Sequence, residues 1–257
     1  MIRCLSRIIT GSPRPLPSLL RTIKHRLLCG NWYGGQMMVV RREFNVWLYA
    51  RSDHFIDALL LDEPRTWDYV KRLVVDGKVT SMLDVGAHIG GYAVVLGRKI
   101  HVFAMEPMPD TFAMLNLNVK LNKVNVETVR AAAYDGSCST VRLRRSLSHS
   151  GGDHISSAGG IKAPAYTLDD IWMKYGPFDL VKIDVEGSEG EVLRGFSRIP
   201  KYLVVEVRPS TWKCVKEFLL TCMQVAALER LVRGNAFNVI AKKYSNLVAD
   251  CGNLTNL

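Results

Sequence analysis

Apolar and polar positions change rhythm near residue 80 of this 257-residue chain. Beyond it, short apolar runs alternate with stretches of helical spacing, the pattern of a doubly wound α/β sheet. Ser81–Val85 and His101–Met105 are apolar runs of strand length, and 91–98 and 109–121 are helical. A third strand is expected at 124–129, and an inserted hairpin or strand pair at 138–145 and 161–166 around a polar loop, 146–160. Then come a fourth buried strand at 180–184, a helix at 188–196, a fifth strand at Tyr202–Val207 and a helix at Trp212–Cys222, with strands near 224–230 and 236–241 closing the sheet. The expected fold is Rossmann-like, mostly parallel with an antiparallel strand.

Upstream, Leu16, Leu19, Leu20, Ile23, Leu27 and Leu28 recur at near-helical spacing, with Arg21, Lys24, His25 and Arg26 between them. This predicts a basic amphipathic helix over 18–28, ended by Gly30, that packs on the domain, lies on a membrane surface or caps a substrate. Residues 37–50 alternate well enough for a hairpin, and 62–75 reads as a helix leading into the core. With 48% hydrophobic and 23% charged residues the chain can bury one substantial core, so an extension over 1–45 and a single domain over 46–257 are expected. No stretch approaches the roughly 18 uninterrupted apolar residues of a spanning helix.

The net charge of +10 suggests nucleic acid until its distribution is read. Arg3, Arg7, Arg14, Arg21, Lys24, Arg26, Arg41 and Arg42 meet no acid before residue 43, which leaves +2 for the rest. The excess belongs to the extension, which could meet RNA phosphates, lipid headgroups or acids of its own domain. Six cysteines without a C-x-x-C pair, and an N-terminus broken by Arg3, Ser6, Arg7 and three prolines, predict reduced thiols in a cytoplasmic protein, with no zinc site and no secretory leader. The oligomeric state is left open.

Three places carry chemistry. The run Leu83-Asp84-Val85-Gly86-Ala87-His88-Ile89-Gly90-Gly91 ends a buried strand and opens a helix, where backbone N–H groups meet ligands. A dinucleotide site would want G-x-G-x-x-G; this turn reads G-x-x-x-G-G after an acid, which favours a cofactor with a cationic amino-acid end and no pyrophosphate. The second strand ends in Glu106-Pro107, an acid placed to accept ribose hydroxyls. At the end of the fourth strand, Asp184, Glu186 and Glu189 crowd the ligand-binding edge, although the two glutamates could equally be helix N-terminal acids.

Together LDVGAHIGGY, VFAMEPMPDTFAMLNLNVKLN, AAAYDGS, YTLDDIW and DLVKIDVEGSEGEVLRG fall in an order and spacing that resembles the FkbM family of methyltransferases, from about 45 to 195. The resemblance implies a class I methyltransferase fold and S-adenosyl-L-methionine as cofactor, with O-methylation of a sugar or polyketide hydroxyl as the usual reaction. Carried over onto this chain, Asp84, Gly86 and Gly90 match the family's cofactor turn, Glu106 its ribose contact, and Asp184 with Glu186 and Glu189 its D-V-E-G-x-E; the cofactor site is expected to include Ala87, Pro107, Asp135 and Asp184 as well, with Glu186 and Glu189 toward the acceptor. His88 departs from the family, which commonly has Asn there. A hydroxyl acceptor needs a base, and Asp184, His149 and His154 are the candidates. The expected acceptor is a glycan, glycolipid or other small natural product; the alternative is RNA or a protein side chain held by the basic arm. No metal is expected, although the acids around Asp184 make a metal-dependent variant conceivable.

Overall fold

The computed structural model describes residues 37–51, 63–146, 152–230 and 236–243. The amphipathic helix expected at 18–28 and His149 lie outside them. No helix among the described residues is long and apolar enough to cross a membrane.

Strands β1 (Met37–Arg42) and β2 (Val46–Arg51) form the expected antiparallel hairpin, and the boundary expected after residue 45 falls within it. Helix α1 (Pro64–Val75) leads to β3 (Ser81–Val85), α2 (Ala93–Leu96), β4 (His101–Met105), α3 (Pro109–Asn122) and β5 (Val126–Val129). Then follow β6 (Ala132–Ala133), β7 (Thr140–Arg144), β8 (His154–Ile155), β9 (Ile161–Tyr166) and α4 (Leu168–Tyr175). The chain returns through β10 (Leu180–Ile183), α5 (Glu189–Arg194), β11 (Tyr202–Val207), α6 (Trp212–Cys222), β12 (Met223–Arg230) and β13 (Phe237–Lys243).

The main sheet has seven strands in the order β12-β13-β11-β10-β3-β4-β5. Its neighbours pair in parallel from β5 to β11, and β13 runs antiparallel to both β11 and β12. One apolar layer, with Trp67, Leu96 and Leu115, buries the face under α1, α2, α3 and the hairpin; the other, with Leu168, Val192 and Val215, buries the opposite face under α4, α5 and α6. After β3 the chain winds outward through β4 and β5, then returns to the other side of β3 as β10. The strand order reverses there, the place where open α/β sheets bind ligands.

Two local differences have plain causes. Helix α2 is shorter than 91–98 because Gly97 runs against Val124 and Val126, and its carbonyl accepts the Asn125 N–H at 2.9 Å. Helix α4 was not expected, yet it opens on a reciprocal cap: Thr167 Oγ1 accepts the Asp170 N–H at 3.0 Å, and Asp170 Oδ2 accepts the Thr167 N–H at 3.2 Å. Two buried asparagines of α3 bolt the hairpin down. Asn118 exchanges bonds of 2.6 and 2.9 Å with the Tyr49 backbone, and Asn122 bonds of 2.8 and 2.6 Å with that of Trp47. Asn118 Nδ2 also donates to the Ile89 carbonyl at 2.9 Å, which ties α3 to the glycine turn.

Candidate active site

The turn after β3 is held on both sides. Gly86 and Ala87 N–H groups donate to the Met105 carbonyl at 3.0 and 2.9 Å, and the Asp184 N–H donates to the Val85 carbonyl at 3.0 Å. Gly86 has φ +81, and a Cβ there would overlap the Asp184 carbonyl oxygen. Gly90 has φ +96, and a Cβ would run into Val94 and Leu115. Both glycines are thus required by the positive φ and by close approach. His88 is also left-handed at φ 53.

Asp84 is 1% exposed, and neither carboxylate oxygen makes a close hydrogen bond, although the Ala93 N–H at the start of α2 is near enough to favour its charged form. Burial pushes its pKa up to about 6, although Lys182 pulls the other way. A buried acid with no close partner beside a glycine turn is a ready receptor for a cationic group. Glu106, at the end of β4, is 6% exposed. Its Oε2 accepts the His88 N–H at 3.0 Å and its Oε1 the Met108 N–H at 2.9 Å. These bonds fix the carboxyl plane, and each oxygen keeps a second lone pair for a ribose hydroxyl. Burial pushes Glu106 up to about 8.

That shift makes a prediction. A carboxyl with its folded pKa above its unfolded one stabilises the fold fully below about pH 4.5, and this contribution is lost as pH rises to about 8. Glu106→Gln therefore gains stability relative to the parent across that window, by a few kcal/mol with about 1.4 kcal/mol per pH unit as the ceiling. Urea unfolding of the ligand-free pair at pH 5 and pH 8.5 measures it; parallel curves would remove the assignment.

Beside the turn lies a buried charge network that sequence reasoning missed. Lys182, 4% exposed, donates from Nζ to Asp184 Oδ2 at 2.9 Å and sits 4.9 Å from the centre of the Tyr92 ring. Burial works against its charge, but Asp184, Glu63 and Asp84 together push its pKa upward. Glu63, raised by burial to about 7, accepts from the Tyr92 hydroxyl at 3.0 Å and from Asn238 Nδ2 at 2.8 Å. Register places Glu206 of β11 beside Asn238, and the pairing of Ile183 with Val205 sets it next to Asp184. Burial, then Asp184 and Glu63, push Glu206 up to about 10. Lysine within the apolar run Leu180–Ile183 was the visible signal; the partnership with Glu63, Tyr92 and Glu206 was not.

Asp184, Glu186 and Glu206 bring one carboxylate oxygen each within 4.8 Å of the others, a set that could hold a divalent cation. Lys182 is the counter-ion of Asp184, and Arg208 pairs with Glu186 and stands 3.6 Å from Glu206. Glu189, fully buried, turns back to accept the Gly187 N–H at 2.9 Å.

The structure thus gathers Asp84, Gly86, Ala87, Gly90, Glu106, Pro107, Asp184, Glu186 and Glu189 along one edge of the sheet. Asp135 accepts the Ser137 N–H at 3.0 Å and lies 3.8 Å from Arg194, and these contacts do not join it to the other cofactor candidates. His154 pairs in register with Arg144, its Nδ1 bonded to the Gly152 carbonyl at 3.0 Å. The contacts described for it do not reach Asp184. The preceding Asp153, also missed, faces the charges of Glu106 and His88.

A parallel sheet reversed at β3, a glycine turn and an acid closing β4 define a class I, Rossmann-like methyltransferase fold. In agreement, the Pyrococcus abyssi tRNA (uracil-54, C5)-methyltransferase, solved in complex with S-adenosyl-L-homocysteine, superposes with a TM-score of 0.50 at 16% identity, over 82% of this chain and 45% of that one. Residues 84–233 match the methyltransferase FkbM domain, more than half of the chain, and the protein belongs to that family. The hexuronic acid methyltransferase AglP of Haloferax volcanii is 29% identical over 147 residues, 54% of this chain and 61% of AglP. The chain thus spans about three-fifths of that relative's length.

Proposed function

We propose that this protein is an S-adenosyl-L-methionine-dependent methyltransferase that O-methylates a hydroxyl of a glycan, glycolipid or related small molecule. The observation that carries the reading is Asp84, whose two buried oxygens make no close hydrogen bond at the glycine turn after β3, where the match to the FkbM domain begins. The residues present fit the group: Asp84 matches its cationic amino-acid end, Glu106 its ribose hydroxyls, and the glycines at 86 and 90 leave the backbone open to it. The name of AglP supports a sugar acceptor.

S-adenosyl-L-methionine, when bound, supplies the methyl group from its sulfonium by in-line displacement. The chain's own part is alignment and proton handling. Asp184 stands at the carboxyl end of β10, next to β3 and its turn, and Lys182 fixes its carboxylate from below at 2.9 Å. In that position it accepts the acceptor hydroxyl's proton and orients its oxygen. Glu186 lies beyond it on the acceptor side.

Labelled cofactor incubated with acidic and neutral glycans tests the activity; transfer to RNA or protein alone would overturn it. Asp184→Asn is expected to lower kcat by about 10²–10⁴ while leaving S-adenosylhomocysteine affinity within a few-fold. Single-turnover kinetics and calorimetric titration separate the two readouts, and undiminished turnover would remove Asp184 as the base.

A further inference from the structure

Strands β6, β9, β7 and β8 form a second, four-stranded sheet beside the cofactor edge. Its inner face is apolar: Val141, Leu143, Ala163 and Ala165 pack on Met108, two residues beyond Glu106. Side chains alternate across a sheet, so the residues between them point outward. Register sets Arg142 opposite Lys162 and Arg144 opposite His154. Arg142, Arg144 and Lys162 are exposed, and no carboxylate among the described residues pairs with any of them. Tyr166, 45% exposed, stands on the same face at the end of β9.

This concentration of positive charge contrasts with the near-neutral balance beyond residue 42, only +2. At about 3.3 Å per residue and 4.8 Å between strands, the backbone positions of the three cations span a patch of roughly 7 by 5 Å. Three arginine and lysine charges would neutralise about three phosphates, fewer than the roughly 6–10 contacts that give a nucleic-acid complex its steep salt dependence. The patch matches the carboxylates of a short acidic sugar chain, for which Arg provides a planar fork and Tyr166 an apolar ring with a polar tip. The small sheet adjoins the site, because Met108, whose N–H donates to Glu106, lies in the apolar cluster beneath it together with Ile155 of β8.

We infer that the outer face of the small sheet, centred on Arg142, Arg144 and Lys162, docks the acidic portion of an oligosaccharide acceptor. The inference rests on the proposed glycan methylation and names its substrate class as carboxylate-bearing. It also gives His154 a place, beside Arg144 on this face.

Fluorescence anisotropy of the full chain with labelled tetragalacturonate, a neutral tetrasaccharide and a single-stranded RNA of equal charge provides the test. Wild type should bind the acidic sugar roughly tenfold tighter than the neutral one, and Arg142→Glu combined with Arg144→Glu should erase that preference. The charge-matched control, Lys213→Glu with Lys216→Glu on α6, should retain it, and S-adenosylhomocysteine affinity should stay within about twofold in both variants. Three results overturn the inference: equal binding of acidic and neutral sugars, the same loss in the control, or tighter binding of RNA that the face variant abolishes. Binding is read without turnover, so a protein that docks the acidic sugar but methylates no glycan counts against the proposed function alone.

Discussion

Gly86→Ala is expected to abolish cofactor binding and to cost more than about 4 kcal/mol of stability, the range reached only by specific structural conflicts. Two effects combine. The residue sits at φ +81, where an L side chain is strained, and the new methyl group would occupy the place of the Asp184 carbonyl oxygen. Relief would require β3 and β10 to part, and the strand ends that align the cofactor turn with the acceptor carboxylates would part with them. Gly77→Ala is the matched control. Gly77 has φ +70 with nothing within 4 Å of an added Cβ, so only the conformational cost of about 1–2 kcal/mol remains. Calorimetric titration with S-adenosylhomocysteine and urea unfolding of both variants make the measurement. Intact binding by Gly86→Ala would mean that the turn tolerates a side chain and is not the cradle.

Lys182→Met should be comparably severe, through charge instead of shape. Its ammonium stands among Asp184, Asp84 and Glu63, all on the face of the sheet covered by α1 and α2. Removing one partner of a buried ionic group, with the others left uncompensated, costs about 3–5 kcal/mol. The loss should depend on pH in a defined direction. Glu63 and Asp84, already raised to about 7 and about 6, take up protons more readily once the lysine is gone, so the deficit is largest above pH 7 and shrinks toward pH 5. Unfolding curves for the variant and parent at pH 5, 7 and 8.5 decide it; a deficit that stays the same across these pH values would mean that the lysine's role is packing against Tyr92 and not charge.

Much of this architecture was legible in order along the chain. The strands at 81–85, 101–105 and 202–207 and the helix at 212–222 have the bounds that their apolar runs predict. A strand buried on both faces must be apolar throughout, and its ends must be marked by glycine or acid. The glycine turn and Glu106 were readable for the same reason, since each is a local departure from such a run. Helix α4 was missed although its cap was written in Thr167 and Asp170, because eight residues carry too little periodicity to stand out. The strand pieces β6 and β8, two residues each, carry none.

What the sequence by itself determined is therefore the class of fold, the family and the identity of the acids at the ends of β3, β4 and β10. The acids follow from patterns within a dozen neighbouring residues, and the fold and family from the order in which such local patterns succeed one another along the chain. Only the tertiary structure decided that Lys182 is wedged among Asp84, Glu63 and Asp184, that Glu206 stands beside Asp184, and that His154 shares a basic outer face with Arg144. Those partnerships join residues far apart in the chain, set by which strands pair and in what register, and a shift of one residue would turn every one of these side chains to the opposite face.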